Sequence, residues 1–243
     1  MDDEIFEAWR ERVRSGDETA TIINLYELEA RPRGLGPEQL PNEERVRLAL
    51  RALEARVPGF EVAPDSDRGI EPIVLVAYDP AWPARFESWK DRLLAAIAPP
   101  PRRIDHVGST AVPGLTAKPV IDIQVSVEDM TNEPAYVPAI EALGVQLRSR
   151  DGDHRFFRPL AGYPRDVHIH VCDAGSTWER RHILFVAYLR TNAAARQTYV
   201  RAKKSALARW ADDRIAYTEA KDGVIRNIME GAESWALAQG WSP

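Results

Sequence analysis

The stretch HVGSTAVPGLTAKPVIDIQVSV, residues 106–127, decides how this chain folds. Its last eight residues carry β-branched side chains at nearly alternate positions, which predicts a central β-strand. A short apolar run at residues 104–107 predicts a second strand, and Gly108 and Ser109 follow it as a small-residue turn. Such a turn allows backbone N–H groups to approach a phosphate closely. We expect the two strands to be neighbours in one mixed sheet, with the turn close to Asp122.

The rest of the chain alternates between helical and extended patterns. Apolar residues recur with helical spacing in some segments and with strand spacing in others. The patterns predict helices at residues 5–14, 21–30, 42–57, 84–97, 138–143, 178–209 (with a break near 191–192) and 213–238, and strands at residues 73–77, 104–107, 120–127, 145–148, 155–159 and 167–171. Asn42 is the predicted N-cap of its helix. We therefore predict an α+β fold, in which helices flank a mixed β-sheet and a small helical module lies at the N-terminus.

The composition predicts a cytoplasmic protein with a large core. Hydrophobic residues make up 44% of the 243 residues, and the formal net charge of −5 does not favour nucleic acid as a partner. The single cysteine, Cys172, excludes a disulfide framework and fits a reducing cytosol. The N-terminus is acidic, and no apolar run approaches the ~20 residues that span a bilayer. We therefore expect no signal peptide and no membrane partner, while the oligomeric state stays open.

The distribution of charge divides the chain into two parts. Residues 1–70 carry 16 acidic and 10 basic side chains, whereas residues 71–243 carry 21 and 22. The change falls near the polar, turn-rich residues 64–69, which indicates a linker. We predict a helical N-terminal module over residues 1–68 and a larger domain over residues 69–243. Three short helices bury little surface alone, so we expect the module to dock on the domain.

Three side chains of the larger domain are candidate metal ligands. An aspartate such as Asp122 is out of place in a strand of Val and Ile unless it caps, pairs or binds a metal. His168 and His170 are two residues apart on a predicted strand, so both face the same side. Together the three side chains form a ligand set for Zn²⁺, Mn²⁺ or Fe²⁺, while His170 is also a candidate general base. The alternatives are that Asp122 holds a loop through backbone N–H groups and that the histidines are hydrated or paired with Asp166.

Basic residues supply candidate contacts to phosphate. Lys118, Arg155 and Arg158 are the individual candidates. Residues 180–209 contain eight Lys or Arg and no Asp or Glu. Such a run is able to bind a polyphosphate, an RNA backbone or the acidic N-terminal module, and the alternative is a solvated helix face.

Several motifs, in this order, resemble the GrpB family (UPF0157), which is related to the nucleotidyltransferase superfamily. The motifs are YDPAWP at 78–83, HVGSTAVPGL at 106–115, KPVIDI at 118–123, RFF at 155–157, IHV at 169–171, WERR at 178–181 and YTEAK at 217–221. The resemblance implies that Arg181 and Lys221 also contact a nucleotide. In the superfamily pattern, the strand aspartate is followed two residues later by a second acidic residue. Here that residue is Gln124, a neutral amide, which argues against a standard two-Mg²⁺ mechanism.

The resemblance implies metal-dependent nucleotidyl transfer from ATP or another nucleoside triphosphate to a small-molecule or macromolecular acceptor. The cation, Mg²⁺ or alternatively Mn²⁺ or Zn²⁺, is expected on Asp122, Gln124, His168 and His170. Two alternatives stay open. One is a degenerate nucleotidyltransferase fold that binds a nucleotide or an acidic partner without catalysis. The other is a metal-dependent small-molecule enzyme that uses the aspartate and the two histidines.

Overall fold

The computed structural model describes residues 3–62, 72–160 and 162–243, and there the chain forms a six-stranded mixed sheet flanked by helices. The strands are β1 (Glu61–Val62), β2 (Arg103–Val107), β3 (Ile121–Val127), β4 (Val145–Arg150), β5 (Arg155–Pro159) and β6 (Val167–Asp173). Their order across the sheet is β1-β4-β5-β6-β3-β2. The predicted α+β fold with a mixed sheet is therefore confirmed.

Strand β3 lies inside the sheet, where it pairs antiparallel with β2 and parallel with β6. Ile121, Ile123 and Val125 of β3 are buried in the main core. The alternate side chains Asp122 and Gln124 face the other side of the sheet, because successive residues of a strand point in opposite directions. The predicted adjacency of the two strands on either side of the Gly-Ser turn is confirmed.

Helices cover both faces of the sheet. They are α1 (Asp3–Arg14), α2 (Ile22–Ala30), α3 (Asn42–Arg56), α4 (Trp82–Ala96), α5 (Val137–Glu141), α6 (Thr177–Thr191), α7 (Ala193–Trp210), α8 (Arg214–Glu219) and α9 (Asp222–Gln239). Helix α4 contributes Trp82, Phe86 and Leu93 to the main core. The predicted break is confirmed: Asn192 ends α6 and caps α7 by accepting a hydrogen bond from the N–H of Ala195 at 2.9 Å. Among the described residues, no helix combines the length and apolar character needed to cross a bilayer.

The strand predicted at residues 73–77 is wrong. Only Val76 pairs there, in an isolated antiparallel bridge with Ala117. The backbone N–H of each residue donates to the carbonyl of the other, at 2.9 and 3.0 Å. Two residues further along the same register, the partner of Val74 would be Pro119, which has no N–H to donate. The ladder therefore does not extend in that direction.

The predicted N-cap at Asn42 is also wrong. Asn42 is the first residue of α3, and Pro41 occupies the cap position without a side-chain hydrogen bond. The carbonyl of Pro41 accepts a hydrogen bond from the N–H of Arg45 at 3.0 Å. The first helical turn is therefore closed one residue earlier than the prediction assumed.

The N-terminal helices pack on the end of α7 and on α8, as expected for a module with little core of its own. The rings of Tyr26 and Trp210 lie 6.1 Å apart in one hydrophobic cluster. The carboxylate of Glu219 accepts hydrogen bonds from the N–H groups of Ile22 and Ile23, at 2.8 and 2.7 Å. This places a negative charge at the N-terminus of α2, where the helix dipole favours it. The predicted linker, residues 64–69, and the boundary at residue 68 lie outside the described residues.

Candidate functional site

The register of two parallel strands brings three predicted ligands together. Asp122 of β3 lies directly beside His168 of β6, and His170 follows two residues along the same face. The Nδ1 atom of His168 lies 3.1 Å from Oδ1 of Asp122. One ligand atom from each of the three side chains lies within 4.8 Å of the other two, which is a spacing that suits a single metal ion. These three residues form what we call the cation cluster.

The turn after β2 lies against the carboxylate of the cation cluster. Gly108 has φ +69° and ψ −167°, a conformation that side chains disfavour. A Cβ atom at this position would lie 2.3 Å from Oδ2 of Asp122. The Nε2 atom of His106 lies 3.0 Å from the hydroxyl of Thr110, which donates to the carbonyl of Val120 and so ties the turn to β3. Only glycine therefore lets the turn approach Asp122 this closely.

The electrostatics of the cluster favour an anionic Asp122 and a neutral His170. Burial alone would raise the pKa of Asp122, but the hydrogen bond from His168 and the charges of His168, His170 and Lys118 lower that pKa below its ordinary value. Burial, together with the charge of His154, lowers the pKa of His170 well below its ordinary value. Nδ1 of His170 is buried and has no hydrogen-bond partner among the described residues. A carboxylate and a neutral imidazole are the forms that bind metal ions.

Gln124 lies next to the cluster and supplies no charge. Its side chain is fully buried, and its amide nitrogen is 3.5 Å from the carbonyl oxygen of Glu179 on α6. Its amide oxygen has no hydrogen-bond partner among the described residues. The carboxylate of Glu179 is turned back to its own helix terminus, where it accepts from the N–H of Gly175 at 3.2 Å. The cation cluster therefore contains a single carboxylate.

Three lysines gather on the other side of the Gly-Ser turn. The Nζ atoms of Lys118 and Lys221 lie 5.2 and 4.3 Å from the centre of the Tyr217 ring. The Nζ atom of Lys203 on α7 donates to the hydroxyl of Ser109 at 3.3 Å and to the carbonyl of Thr116. The structure thus brings together the predicted residues Ser109, Lys118 and Lys221, and it adds Lys203.

Sequence reasoning missed Lys203 because it stood inside a long basic run. The spacing of the buried residues along α7 indicated that Lys203 faces inward. Its buried residues are Ala195, Tyr199, Lys203, Ala206 and Trp210, which follow one another at intervals of three or four. A lysine within such an apolar stripe faces the protein interior. The adjacent Lys204 lies off the stripe and is exposed.

Arg155, one of the three arginines predicted to contact phosphate, lies on the face of the sheet opposite the cation cluster. There its Nε atom donates to the carboxylate of Glu133 at 2.6 Å. Successive residues of a strand face opposite sides of the sheet, and it is the neighbouring Phe156 that faces His170. Arg181 is exposed on α6. Arg158 is half-buried on β5, opposite Gln146 of β4.

The basic run does not form one continuous binding surface. Arg180 pairs with Glu233 of α9 at 2.6 Å, and Arg190 donates to the carbonyl of Ala111 at 2.8 and 3.0 Å. One member of the run, Arg209, reaches the N-terminal module through Glu38 at 3.2 Å. The buried pairing across this interface has the opposite polarity, because Arg45 of the module binds Asp212 of the domain at 2.7 Å. Attraction between an acidic module and the basic run is therefore a small part of the docking.

A family model described as GrpB protein matches residues 72–231. The chain belongs to the GrpB family. The UPF0157 protein of Halalkalibacterium halodurans is 37% identical over 163 residues, which cover 67% of this chain and 83% of that protein. The crystal structure of the conserved protein GrpB from Enterococcus faecalis has a TM-score of 0.59 and 30% identity, covering 67% of this chain and 99% of that one. A dephospho-CoA kinase of Mycolicibacterium paratuberculosis is 32% identical over 198 residues, 71% of this chain and 49% of the kinase.

The GrpB-matched range contains the cation cluster, the Gly-Ser turn and the three lysines. The resemblance predicted from the sequence motifs is thereby confirmed. Helices α1 to α3 and strand β1 precede the matched range. They are additions to the GrpB region that pack on α7 and α8, the helices that carry Lys203 and Tyr217.

Proposed function

We propose that this GrpB protein transfers a nucleotidyl group from a nucleoside triphosphate to an acceptor, with the help of one divalent cation. The observation that carries the proposal is the position of the glycine turn between the cation cluster and a group of lysines. A cation and several ammonium groups on one short path are what the phosphates of a nucleotide require. The chemistry of the acceptor is left to experiment.

The ligand set supports a transition-metal ion rather than two Mg²⁺ ions. Asp122, His168 and His170 would hold the cation through one carboxylate and two imidazoles, a set that suits Mn²⁺ or Zn²⁺, whereas Mg²⁺ prefers oxygen ligands. Gln124 stands where a second carboxylate would hold a second ion, and it is neutral. A bound cation would neutralise charge on the phosphate under attack.

In the proposed reaction, an acceptor oxygen forms a bond to the α-phosphorus, and the bond from that phosphorus to the β-bridging oxygen breaks. Pyrophosphate leaves, and the proton of the acceptor passes to water, because the imidazole of His170 would already hold the cation. The backbone at Gly108 lies close to Asp122 because the residue lacks a side chain, so the turn is able to approach a phosphate there. The name dephospho-CoA kinase of the mycobacterial relative supports nucleotide chemistry in general terms, although the chain spans only about half of that relative.

The test measures metal content and ATP binding of the purified protein. We expect about one Mn²⁺ or Zn²⁺ per chain, ATP binding that needs this ion, and slow release of pyrophosphate from ATP. Asp122→Asn should lose the metal and the metal-dependent binding. The matched control is Asp105→Asn, which alters a carboxylate of β2 that pairs with Arg103 at 2.6 Å and lies outside the cluster.

Two outcomes separate the proposal from its competitors. Metal-dependent ATP binding without pyrophosphate release, in the presence of candidate acceptors, would support a nucleotide-binding protein without catalysis, which Gln124 favours. A protein that holds neither metal nor ATP, or one whose Asp122→Asn and Asp105→Asn variants behave alike, would overturn the assignment of the site.

A further inference from the structure

Three buried or half-buried ammonium groups lie together beside the Gly-Ser turn. Lys203 and Lys221 have only 2% and 7% of their surface exposed, and Lys118 is half-buried. None of the three forms an ion pair with a carboxylate of the described residues, although Asp222 acts on Lys221, and Asp122 acts on Lys118 and Lys221, from a distance. Lysines are rarely buried without a partner, because an uncompensated charge loses its hydration. A bound anion would therefore compensate the charge of these lysines.

The pKa values of Lys203 and Lys221 reflect the same uncompensated charge. Burial, reinforced by the charges of Lys221 and Lys118, lowers the pKa of Lys203 to about 7. Burial and the charge of Lys118 lower the pKa of Lys221 to about 8. Like charges that share a site disfavour one another, so each added proton makes the next less favourable. A bound polyanion would reverse this effect.

The groups around the lysines are suited to hold phosphate oxygens. The hydroxyl of Ser109 lies 3.3 Å from Nζ of Lys203. The hydroxyl of Tyr217 is buried and has no hydrogen-bond partner among the described residues, so a donor is left without an acceptor. The ring of Tyr199 lies 4.5 Å from Nζ of Lys203, and the Tyr217 ring contacts the other two ammonium groups. These cation–π contacts hold the side chains in place.

We infer that Lys118, Lys203 and Lys221, with the hydroxyls of Ser109 and Tyr217, form a pocket for the terminal phosphates of a polyphosphate chain. The inference rests on the proposed function and makes it more specific. The Gly-Ser turn joins the pocket to the cation cluster, because Gly108 contacts Asp122 and the next residue contacts Lys203. The chain of phosphates then runs from the pocket to the cation, and the pocket holds the pyrophosphate that leaves.

The experiment titrates the full-length protein with inorganic pyrophosphate in EDTA, by isothermal titration calorimetry, so that no divalent cation contributes. We expect saturable binding to wild type, and a loss of at least tenfold in affinity for Lys203→Met and for Lys221→Met. The matched control is Lys204→Met, which removes an exposed charge from the same helix and should leave the affinity unchanged. Circular dichroism of each variant confirms that the fold is retained.

A pH series on wild type tests the pocket without any substitution. Pyrophosphate gains negative charge between pH 7 and pH 9, so binding to a surface of fixed positive charge would strengthen. The lysines with pKa values of about 7 and 8 lose their protons over the same range, so we expect affinity to fall by an order of magnitude. The two effects have opposite signs, and affinity that rises with pH would overturn the inference.

The remaining outcomes are also decisive. No pyrophosphate binding, or an equal loss in Lys203→Met and Lys204→Met, overturns the pocket. Asp122→Asn separates the two proposals, because it should abolish metal binding and leave the metal-free binding of pyrophosphate in place. If the protein binds pyrophosphate but no metal, the pocket stands and the proposed transfer reaction falls.

Discussion

Replacing Gly108 with alanine should disturb the site through one added methyl group. The residue has φ +69° and ψ −167°, a region that is accessible almost only to glycine. The new Cβ would lie 2.3 Å from Oδ2 of Asp122 and 2.9 Å from its Cβ and Cγ atoms. Real Cβ atoms do not approach other heavy atoms so closely, so either the turn or the aspartate must move.

The expected loss of stability has two sources. Backbone strain at such a residue costs roughly 1–3 kcal/mol, and overpacking of a filled site costs roughly 1–3 kcal/mol more. We therefore expect Gly108→Ala to lower the free energy of unfolding by roughly 2–6 kcal/mol. If Asp122 rotates away instead, its contact with His168 at 3.1 Å is lost and the cation cluster comes apart. The affinity for Mn²⁺ should then fall by at least tenfold.

The matched control is Gly114→Ala, in the same loop. Gly114 also has a positive φ, +75°, but among the described residues no atom beyond its two chain neighbours lies within 4 Å of the position its Cβ would take. In the control, backbone strain alone should lower the free energy of unfolding, by roughly 1–2 kcal/mol, and the metal affinity should be unchanged. Urea unfolding and Mn²⁺ titration of both variants give the comparison. Equal losses of stability and of metal affinity in the two variants would refute the contact between the turn and the carboxylate.

Three further predictions concern the lysines, the missing acid and the N-terminal module. Because the folded pKa of Lys203 is lowered from 10.5 to about 7, the unfolded chain binds more protons in this window. The free energy of unfolding should therefore rise with pH between about 7 and 10.5, and Lys203→Met should flatten that rise in urea titrations at several pH values. Gln124→Glu should lower the melting temperature of metal-free protein, since it buries a carboxylate near Asp122, and should raise it with Mn²⁺ bound; a uniform shift would place residue 124 outside the cation site. Glu219→Ala should weaken pyrophosphate binding several-fold by releasing α8 from the module, whereas Arg209→Ala, which removes an exposed bridge to Glu38 and a contact with the neighbouring Trp210 ring, should not.

The elements of the sheet were predictable where local pattern alone decides the structure. Strand β3 follows from alternating β-branched residues, and the turn at Gly108 follows from its glycine. The sequence pattern identified the three candidate metal ligands, but it did not determine that their side chains lie close together. Asp122 and His168 are far apart in the chain, and they meet because β3 and β6 are parallel neighbours in a fixed register. No local pattern determines which strands pair.

The errors at Arg155 and Lys203 share a physical cause, which is the direction of a side chain. A shift of one residue along a strand exchanges the two faces of a sheet, so Arg155 meets Glu133 while the adjacent Phe156 meets His170. On α7, Lys203 faces inward and Lys204 outward, although both belong to one basic run. Composition indicates which charges are present, but only the packing of each element determines where they point.

The N-terminal module packs against α7 and α8, the helices that carry Lys203 and Tyr217 of the candidate site. Burial and mutual repulsion of the three lysines lower the stability of the fold. Tyr217 contacts two of these lysines, and the same residue is buried in the cluster that α1 to α3 form with α7 and α8. The apolar burial contributed by the module therefore holds Tyr217 in place beside the lysines. The helices that precede the GrpB-matched range therefore pack on the two helices that carry Lys203 and Tyr217.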